Sequence, residues 1–295
     1  MAIKNELKAG YERLQCRQTV FEFLRKLPLP EAIFQHLYFK GPFEIKLDCG
    51  NSFQFNHYET AYENRLFWLG LSSYEQTSIE IWRNFAAEAT VIVDGGANTG
   101  LYSMIAGAAN PKAMIFAFEP VGAIYNRLLY NASLNPYNIR AEQAALSDFN
   151  GTATFYVGAG EHPVNSTFSD EVLVDPSAIS RATIVKTVRL DDYLAEHGVS
   201  EVQLVKLDVE GHEPEVLTGL GDILRKSRPV VIAEINNEEI GQRVLEIMRP
   251  FNYKFFIINE GGKCIEVAAL SPPIGKWGQN FLLCPEEKSQ ASCLK

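Results

Sequence analysis

The stretch VIVDGGANTGLYS, residues 91–103, decides the fold. Its first three residues form an apolar run that is typical of a strand buried on both faces. Asp94 ends that strand, a turn of small residues follows, and a helix is predicted from about residue 99. Small residues let a backbone approach a ligand closely, and Gly and Asn tolerate positive φ. Because ligands in open α/β sheets bind outside the carboxyl ends of the strands, the turn predicts a ligand site.

The acid at the end of this strand restricts the ligand. A phosphate-binding turn offers bare N–H groups to a dianion, which Asp94 would repel at close range. A carboxylate suits a cationic amino-acid group or a sulfonium, and S-adenosylmethionine carries both, whereas NAD carries a pyrophosphate. The patterns GxGxxG and GxxxxGK[ST] are both absent. The turn therefore favours S-adenosylmethionine over a dinucleotide.

A second acid ends the next predicted strand. Glu119 stands 25 residues after Asp94, close to the distance of about 20 at which an acid accepts the ribose hydroxyls of a nucleotide. Pro120 suits the first position of the following helix. Each acid alone could serve only a helix N-terminus, but the pair at successive strand ends favours a binding role. The predicted cofactor-binding residues of this region are Asp94, Gly96, Ala97, Asn98, Gly100, Glu119 and Pro120.

Apolar runs and helical stretches alternate from residue 90 onward. Buried parallel strands are predicted over four apolar runs, residues 91–93, 114–118, 202–205 and 230–233. Helices are predicted over four stretches between and after them, residues 99–109, 121–134, 213–224 and 237–248. This alternation indicates a doubly wound α/β fold.

Further segments lie outside the alternation. Residues 152–157 and 183–190 predict extra strands. They flank a long polar segment, residues 158–181, which we interpret as a functional loop because structureless connections of that length are uncommon. Residues 255–258 and 281–283 predict two strands that pair antiparallel at the sheet edge.

The first 72 residues have a different organisation. Helical spacing over residues 2–26 ends at Pro28 and Pro30, and apolar alternation on both sides of Gly50-Asn51 indicates a β-hairpin. We therefore expect an N-terminal α+β extension, residues 1–72, before a main domain, residues 73–295.

Composition excludes some classes of partner. The 295 residues are 46% apolar and carry a net charge of −9, which disfavours nucleic acid and anionic membranes as partners. No apolar run approaches the roughly 18 residues of a membrane span, and the N-terminus lacks the apolar region of a signal peptide. The five cysteines are odd in number and without CxxC spacing, which is typical of a reducing compartment. We expect a cytoplasmic protein.

Three blocks of sequence resemble the FkbM-type methyltransferases. The first joins VDGGANTG (93–100) to FAFEP (116–120), and the second is AALSD (144–148). The third joins LVKLDVEGHEPEVLTGL (204–220) to VIAEI (231–235). The third block is the most specific, because the first occurs in many methyltransferases. The blocks span about residues 75–285, and the first 70 residues carry no such resemblance.

The resemblance implies a fold, a methyl donor and an acceptor. The fold is the class I methyltransferase (Rossmann-like) fold, a doubly wound seven-stranded sheet whose last strand is antiparallel. The methyl donor is S-adenosylmethionine. The acceptor is most often a hydroxyl, which we expect on a glycan, a natural product or another small molecule.

The resemblance also assigns binding residues. Asp94, Gly96, Asn98 and Gly100 would line the methionine part, and Glu119 would hold the ribose. The second block, with Ala145 and Ser147, would border the adenine. Glu75 resembles an acid that often precedes the first strand and would face the methyl donor. This chain departs from the family pattern at Gly95, where an aliphatic residue is commoner, and at His212, where Ala is frequent.

The candidate catalytic residues follow the fourth predicted strand, beside the first. Methyl transfer to a hydroxyl requires the acceptor oxygen to lose its proton, and a base adds roughly 10²–10⁴-fold. Our hypothesis is that Asp208 holds the methyl donor or the acceptor hydroxyl, and that Glu210 or His212 is the base. Methylation that survives substitution of all three residues would refute it. Asp208, Glu210 and Glu234 together offer oxygen ligands for Mg²⁺. Their spacing does not require a metal, so no metal site is predicted.

Other functions stay open on the sequence alone. They are an N-methyltransferase of the same fold, a dinucleotide-dependent oxidoreductase, and a non-catalytic interaction protein that keeps the fold. Binding of NADH would indicate the oxidoreductase. The apolar stripe of the N-terminal helix fits either a homodimer interface or packing on the core.

Overall fold

The computed structural model describes residues 17–158, 179–276 and 278–289. Its strands, numbered along the chain, are β1 Lys40–Lys46, β2 Ser52–Tyr58, β3 Val91–Gly95, β4 Met114–Phe118, β5 Asn138–Glu142, β6 Ala145–Ser147, β7 Gly151–Gly158, β8 Ile179–Arg189, β9 Leu204–Leu207, β10 Val230–Ile235, β11 Tyr253–Ile258, β12 Cys264–Val267 and β13 Gln279–Pro285. Its α-helices are α1 Arg17–Leu24, α2 Glu31–Phe34, α3 Ala61–Leu69, α4 Gln76–Ala86, α5 Leu101–Ala109, α6 Gly122–Ser133, α7 Leu190–Glu196, α8 Glu213–Gly219, α9 Gly221–Lys226 and α10 Glu238–Met248. Within these ranges, every helix is too short or too polar to cross a membrane.

The main sheet has eight strands in the order β12-β11-β13-β10-β9-β3-β4-β5. The five strands from β10 to β5 run parallel, β13 is antiparallel to β10, and β11 is antiparallel to β13. The predicted class I sheet with its antiparallel last strand is confirmed, as is the antiparallel pairing at the edge. The eighth strand, β12, was not predicted. It forms an edge hairpin with β11; it is only four residues long, and its burial does not alternate from residue to residue.

Different parts of the chain cover the two faces of the main sheet. Ile92 belongs to an apolar cluster with residues of the N-terminal part, α4 and α5. The next residue, Val93, belongs to a second cluster with residues of α7, α8, α9 and α10. Successive strand residues point to opposite faces, so one strand contributes to both cores. This two-sided covering is the predicted doubly wound arrangement.

The two extra strands predicted beside the polar segment are also present. They are β7 and β8, which pair antiparallel, and β6 pairs parallel to β8 to complete a three-stranded sheet. Most of the predicted functional loop, residues 159–178, lies outside the described residues.

The N-terminal part packs directly on the main sheet. Its predicted hairpin is confirmed by the antiparallel pairing of β1 with β2, in which Phe43 lies opposite Phe55. Both rings are buried in the cluster that contains Ile92 and Ile105. The predicted division of the chain after residue 72 stays a prediction, because a single apolar core extends across that point.

The outer edge of β2 is satisfied by two asparagines, Asn131 of α6 and Asn135, which follows that helix. Asn56 N donates to Asn131 Oδ1 at 2.9 Å, and Gln54 N donates to Asn135 Oδ1 at 2.8 Å. Asn131 Nδ2 donates in turn to Thr99 O, at 2.8 Å, in the turn that follows β3. Buried backbone groups require such partners. The fully buried Asn131 side chain therefore ties the N-terminal hairpin to the glycine turn.

Replacing Asn131 by Ala is expected to lower the free energy of unfolding by about 2–4 kcal/mol, because Asn56 N and Thr99 O would lose their buried partner. Urea denaturation of the purified proteins measures this change. Asn126→Ala is the matched control, since Asn126 is exposed on the same helix; it is expected to stay within about 0.5 kcal/mol of wild type. Equal losses in the two variants would contradict a bridging role for Asn131.

Candidate functional site

Polar side chains stand along one edge of the main sheet, at the carboxyl ends of β3, β9 and β10 and at the start of the antiparallel strand β13. Asp94 of β3 is in register with Lys206 of β9, and Glu234 of β10 is in register with Asn280 of β13. Asp208 follows β9, and its Oδ2 lies 3.6 Å from Lys206 Nζ. Buried parallel strands are otherwise apolar, so this row of polar groups marks the ligand edge of the sheet.

Backbone hydrogen bonds hold the glycine turn against β4. Gly96 N and Ala97 N both donate to Phe118 O, at 3.1 and 2.9 Å. Asn98 N donates to Glu119 Oε2 at 3.1 Å. Asn98 has a φ of 50°, in the left-handed region that Asn tolerates. The two predicted acid positions are thus linked, because Glu119 supports the turn that begins after Asp94.

Gly96 is required by a close approach of two chain segments. Its φ is 75°, and a Cβ at this position would lie 1.8 Å from the carbonyl oxygen of Asp208. Asp208 N donates to Gly95 O at 3.0 Å. The chain that leaves β9 therefore crosses directly over the turn that leaves β3, and it places Asp208 beside the turn.

A cavity of about 400 Å³ opens between the glycine turn, β9 and the N-terminal part. Its volume falls in the range of small-molecule sites, about 300–1,000 Å³. The lining residues are Thr60, Ala61, Tyr62, Glu63, Tyr74, Asp94, Gly96, Ala97, Asn98, Thr99, Leu101, Tyr102, Ile124, Arg127, Lys206 and Asp208. Polar groups at the strand ends thus face aromatic and N-terminal groups across the cavity.

Burial governs the protonation of the acids that end β3 and β4. It raises the pKa of Asp94 to about 6, although Ser103 Oγ donates to Asp94 Oδ2 at 2.6 Å. It raises the pKa of Glu119 to about 7, although Val121 N and Asn98 N donate to the carboxylate. A bound cation favours the ionised form of a neighbouring acid, so both positions suit a positively charged ligand.

Lys206 is a cation inside a strand that is otherwise apolar. Its side chain is 2% exposed, its Nζ lies 5.2 Å from the centre of the Tyr102 ring, and Nζ has no hydrogen-bond partner. Burial acts to lower the pKa of Lys206, but Asp208, with further nearby acids, raises it above the ordinary value. The side chain therefore stays an ammonium.

Three acids crowd the carboxyl ends of β9 and β10. The charge of Asp208, together with burial, raises the pKa of Glu234. Burial and the charge of Asp208 raise the pKa of Glu210 to about 8, while a hydrogen bond with Asn236 opposes the shift. Glu210 has a φ of 54°. Asp208 is the acid of this group that lines the cavity.

His212 contacts side chains away from the cavity. Its Nε2 lies 3.0 Å from Ser147 Oγ, and its Nδ1 lies 3.4 Å from Glu215 Oε2. Burial lowers the pKa of His212. Glu215 also pairs with Arg243 of α10. His212 and Ser147 thus join α8 to β6.

The structure brings some of the predicted site residues together and places others elsewhere. Five of them line the cavity: Asp94, Gly96, Ala97, Asn98 and Asp208. Gly100, Glu119 and Pro120 are not lining residues; Glu119 accepts the hydrogen bond from Asn98 N, and α6 begins at Gly122 rather than at Pro120. The remaining ones, none of which is a lining residue, are Glu75, Ala145, Ser147, Glu210 and His212.

Glu75 supports the cavity wall from outside. Its Oε2 accepts hydrogen bonds from Tyr102 OH and, at 3.1 Å, from Asn280 Nδ2. Tyr102 lines the cavity. Glu75 therefore links α5 to β13 and orients a lining aromatic ring.

The cavity wall formed by the N-terminal part was not predicted from the sequence. Thr60 accepts a hydrogen bond from Glu63 N and begins α3, and the pattern Thr60-x-x-Glu63 is a recognisable helix start. That pattern predicts a helix and gives no indication of a cavity. Lys206 could have been recognised from the sequence as a site residue, since a lysine between apolar residues of a buried strand is rare.

The described ranges contain no group of three or more His, Cys, Asp or Glu side chains arranged to hold a metal ion. Repulsion by Asp208, together with burial, raises the pKa values of Glu210 and Glu234.

Replacing Gly96 by Ala is expected to lower the free energy of unfolding by about 2–5 kcal/mol, because the new Cβ would collide with the Asp208 carbonyl in addition to the cost of positive φ. Thermal or urea denaturation measures the loss. Gly198→Ala is the matched control: its φ is 70° and a Cβ there meets nothing within 4 Å. We expect about 1–2 kcal/mol for the control, and an equal loss for Gly96→Ala would contradict the close approach.

The sequence-family model described as the methyltransferase FkbM domain matches residues 94–255, which is more than half of the chain. The chain is 30% identical over 170 residues to the 31-O-demethyl-FK506 methyltransferase FkbM of Streptomyces tacrolimicus. It is 30% identical over 158 residues to the hexuronic acid methyltransferase AglP of Haloferax volcanii. It is 29% identical over 160 residues to the 2-O-methyltransferase NoeI of Sinorhizobium fredii.

These alignments cover part of each protein. They include 50%, 54% and 51% of this chain, and 65%, 61% and 65% of the three relatives in the same order. The matched region contains the glycine turn, the Asp208 segment and the strand that ends near Glu234. The chain belongs to the family of FkbM methyltransferase domains.

Proposed function

We propose that this protein transfers a methyl group from S-adenosylmethionine to a hydroxyl of a small-molecule or glycan acceptor. One observation carries the proposal: Asp94 and Asp208 line a single cavity beneath the glycine turn. Membership of the FkbM family supports the choice of methyl donor. The relatives named for O-methylation, among them the 2-O-methyltransferase NoeI, support a hydroxyl acceptor.

The cavity fits the charges of this methyl donor. The donor carries an ammonium and a sulfonium, and the buried acid Asp94 has a raised pKa that a cation would lower. We assign Asp94 and the Gly96–Asn98 backbone to the methionine part, and Glu119 to the ribose. A carboxylate has about four lone-pair positions, so Glu119 can accept ribose hydroxyls while it supports Asn98 N and Val121 N.

The chemistry requires orientation of the acceptor and removal of one proton. S-adenosylmethionine supplies an activated methyl group when bound. Asp208 is the lining acid next to the strand end, and its side chain is 32% exposed. We assign Asp208 to orient the acceptor hydroxyl and to take its proton at Oδ2. Glu210 and His212, which sequence analysis proposed as bases, do not line the cavity, and we assign them to support the loop.

The acceptor side is assigned to the N-terminal part. Residues Thr60–Glu63 of the extension face the glycine turn across the cavity, with Tyr74 just beyond the extension, so the extension would help to select the acceptor. Two relatives are named for 31-O-demethyl-FK506 and for a hexuronic acid, which supports a natural product or a glycan as acceptor.

We further propose a cytoplasmic location. The odd number of cysteines and the lack of CxxC spacing support a reducing compartment. Two expectations stay predictions. One is the absence of a nucleic-acid partner, expected from the acidic charge, and the other is the formation of a homodimer.

Calorimetric titration with S-adenosylhomocysteine tests the donor site. We expect binding to wild type, and about tenfold or greater weakening in Asp94→Asn and Glu119→Gln, because each variant removes a charged hydrogen-bond acceptor. Glu88→Gln is the control, since Glu88 is exposed. Binding of NADH in place of S-adenosylhomocysteine would overturn the assignment in favour of an oxidoreductase.

A second experiment tests the acid assigned to the acceptor. Labelled S-adenosylmethionine is supplied with a panel of hydroxyl-bearing sugars and natural products, and transfer of the label is measured. With the best acceptor, Asp208→Asn is expected to lower kcat by about 10²–10⁴-fold. His212→Asn is the matched comparison and should change kcat by less than about tenfold, because its ring contacts Ser147 and Glu215. The reverse order of effects would restore His212 as the base.

A further inference from the structure

Lys206 is a charged residue of the site to which the proposed function assigns no role. Its side chain is almost fully buried, it lines the cavity, and its ammonium has no hydrogen-bond partner. The nearest acid is Asp208, whose Oδ2 lies 3.6 Å from Nζ, beyond hydrogen-bond length. A buried ammonium without hydrogen bonds is costly unless something binds it.

An anion would satisfy this ammonium. Most charged side chains at the strand ends are acids, and among the described lining residues the cations are Lys206 and Arg127. Arg127 belongs to α6, where its guanidinium stacks 4.8 Å from the centre of the Tyr58 ring. Lys206 instead lies on β9, directly beside Asp94 in the parallel register.

The signs of these two neighbouring charges are complementary to those of an α-amino acid. Neighbouring strands lie about 4.8 Å apart, so Asp94 and Lys206 present an anion and a cation side by side at the cavity edge. An α-amino acid carries an ammonium and a carboxylate on one carbon, with charges in the complementary order. A ligand group with both charges would neutralise the pair at once.

We propose that Lys206 binds the carboxylate of the methionyl group of the methyl donor, while Asp94 faces its ammonium. This inference rests on the proposed function and adds a residue to it. Lys206 is then a binding residue, and the carboxylate supplies the hydrogen-bond acceptor that Nζ lacks.

The test compares two ligands in direct binding. One is S-adenosylhomocysteine, and the other is its decarboxylated analogue, which keeps the amine and the thioether. By calorimetry, wild type is expected to bind S-adenosylhomocysteine about 10- to 100-fold more tightly, the value of one charge-assisted hydrogen bond. In Lys206→Met this ratio is expected to fall close to one. The ratio cancels any general loss of affinity, since both ligands experience it.

Arg127→Met is the matched control, because it removes the other lining cation, and it should keep the wild-type ratio. Should Lys206→Met not fold, Lys206→Gln is compared in the same way. Equal binding of both ligands by wild type overturns the inference without any variant, as does an unchanged ratio in the Lys206 variant or its loss in Arg127→Met. If wild type binds neither ligand, the proposed function fails and the inference with it.

Discussion

The passage of the Asp208 carbonyl over Gly96 is the contact on which the site depends. It occurs where β3 and β9 end side by side, and it leaves no room for a side chain at residue 96. Since the chain after β9 is held down by the hydrogen bond from Asp208 N to Gly95 O, the Asp208 side chain enters the same cavity as Asp94. A larger residue at this crossing would separate the two acids and open the cavity between them.

The charged groups of the site influence one another's protonation and are best considered together. Burial raises the pKa values of Asp94 and Glu119 toward neutrality, while the acids around Lys206 keep it charged. Such an arrangement is unfavourable to leave empty, because buried charges lack the hydration they have in water. A ligand that carries an ammonium, a carboxylate and a sulfonium would supply the missing partners. The unfavourable burial of these charges therefore favours binding of such a ligand.

The N-terminal part belongs to the site in structure. Its aromatic residues share one apolar core with α5 and the main sheet, and Asn131 joins β2 to the turn through two hydrogen bonds. Thr60 and its neighbours then form a wall of the cavity. A disturbance of the hairpin would therefore reach the turn, so stability of the extension and ligand affinity are expected to change together.

Local patterns in the sequence predicted most of the buried strands, the helices that follow them, the glycine turn and the acids Asp94 and Glu119, because buried strands and close turns depend on neighbouring residues. The short strands β5, β6 and β12 were not predicted. Only the tertiary structure decided that Lys206 faces Asp94, that Thr60 lines the cavity, and that His212 contacts Ser147 rather than the site. These contacts join segments from about 50 to 150 residues apart, and such pairings depend on strand order and packing, which no local periodicity encodes.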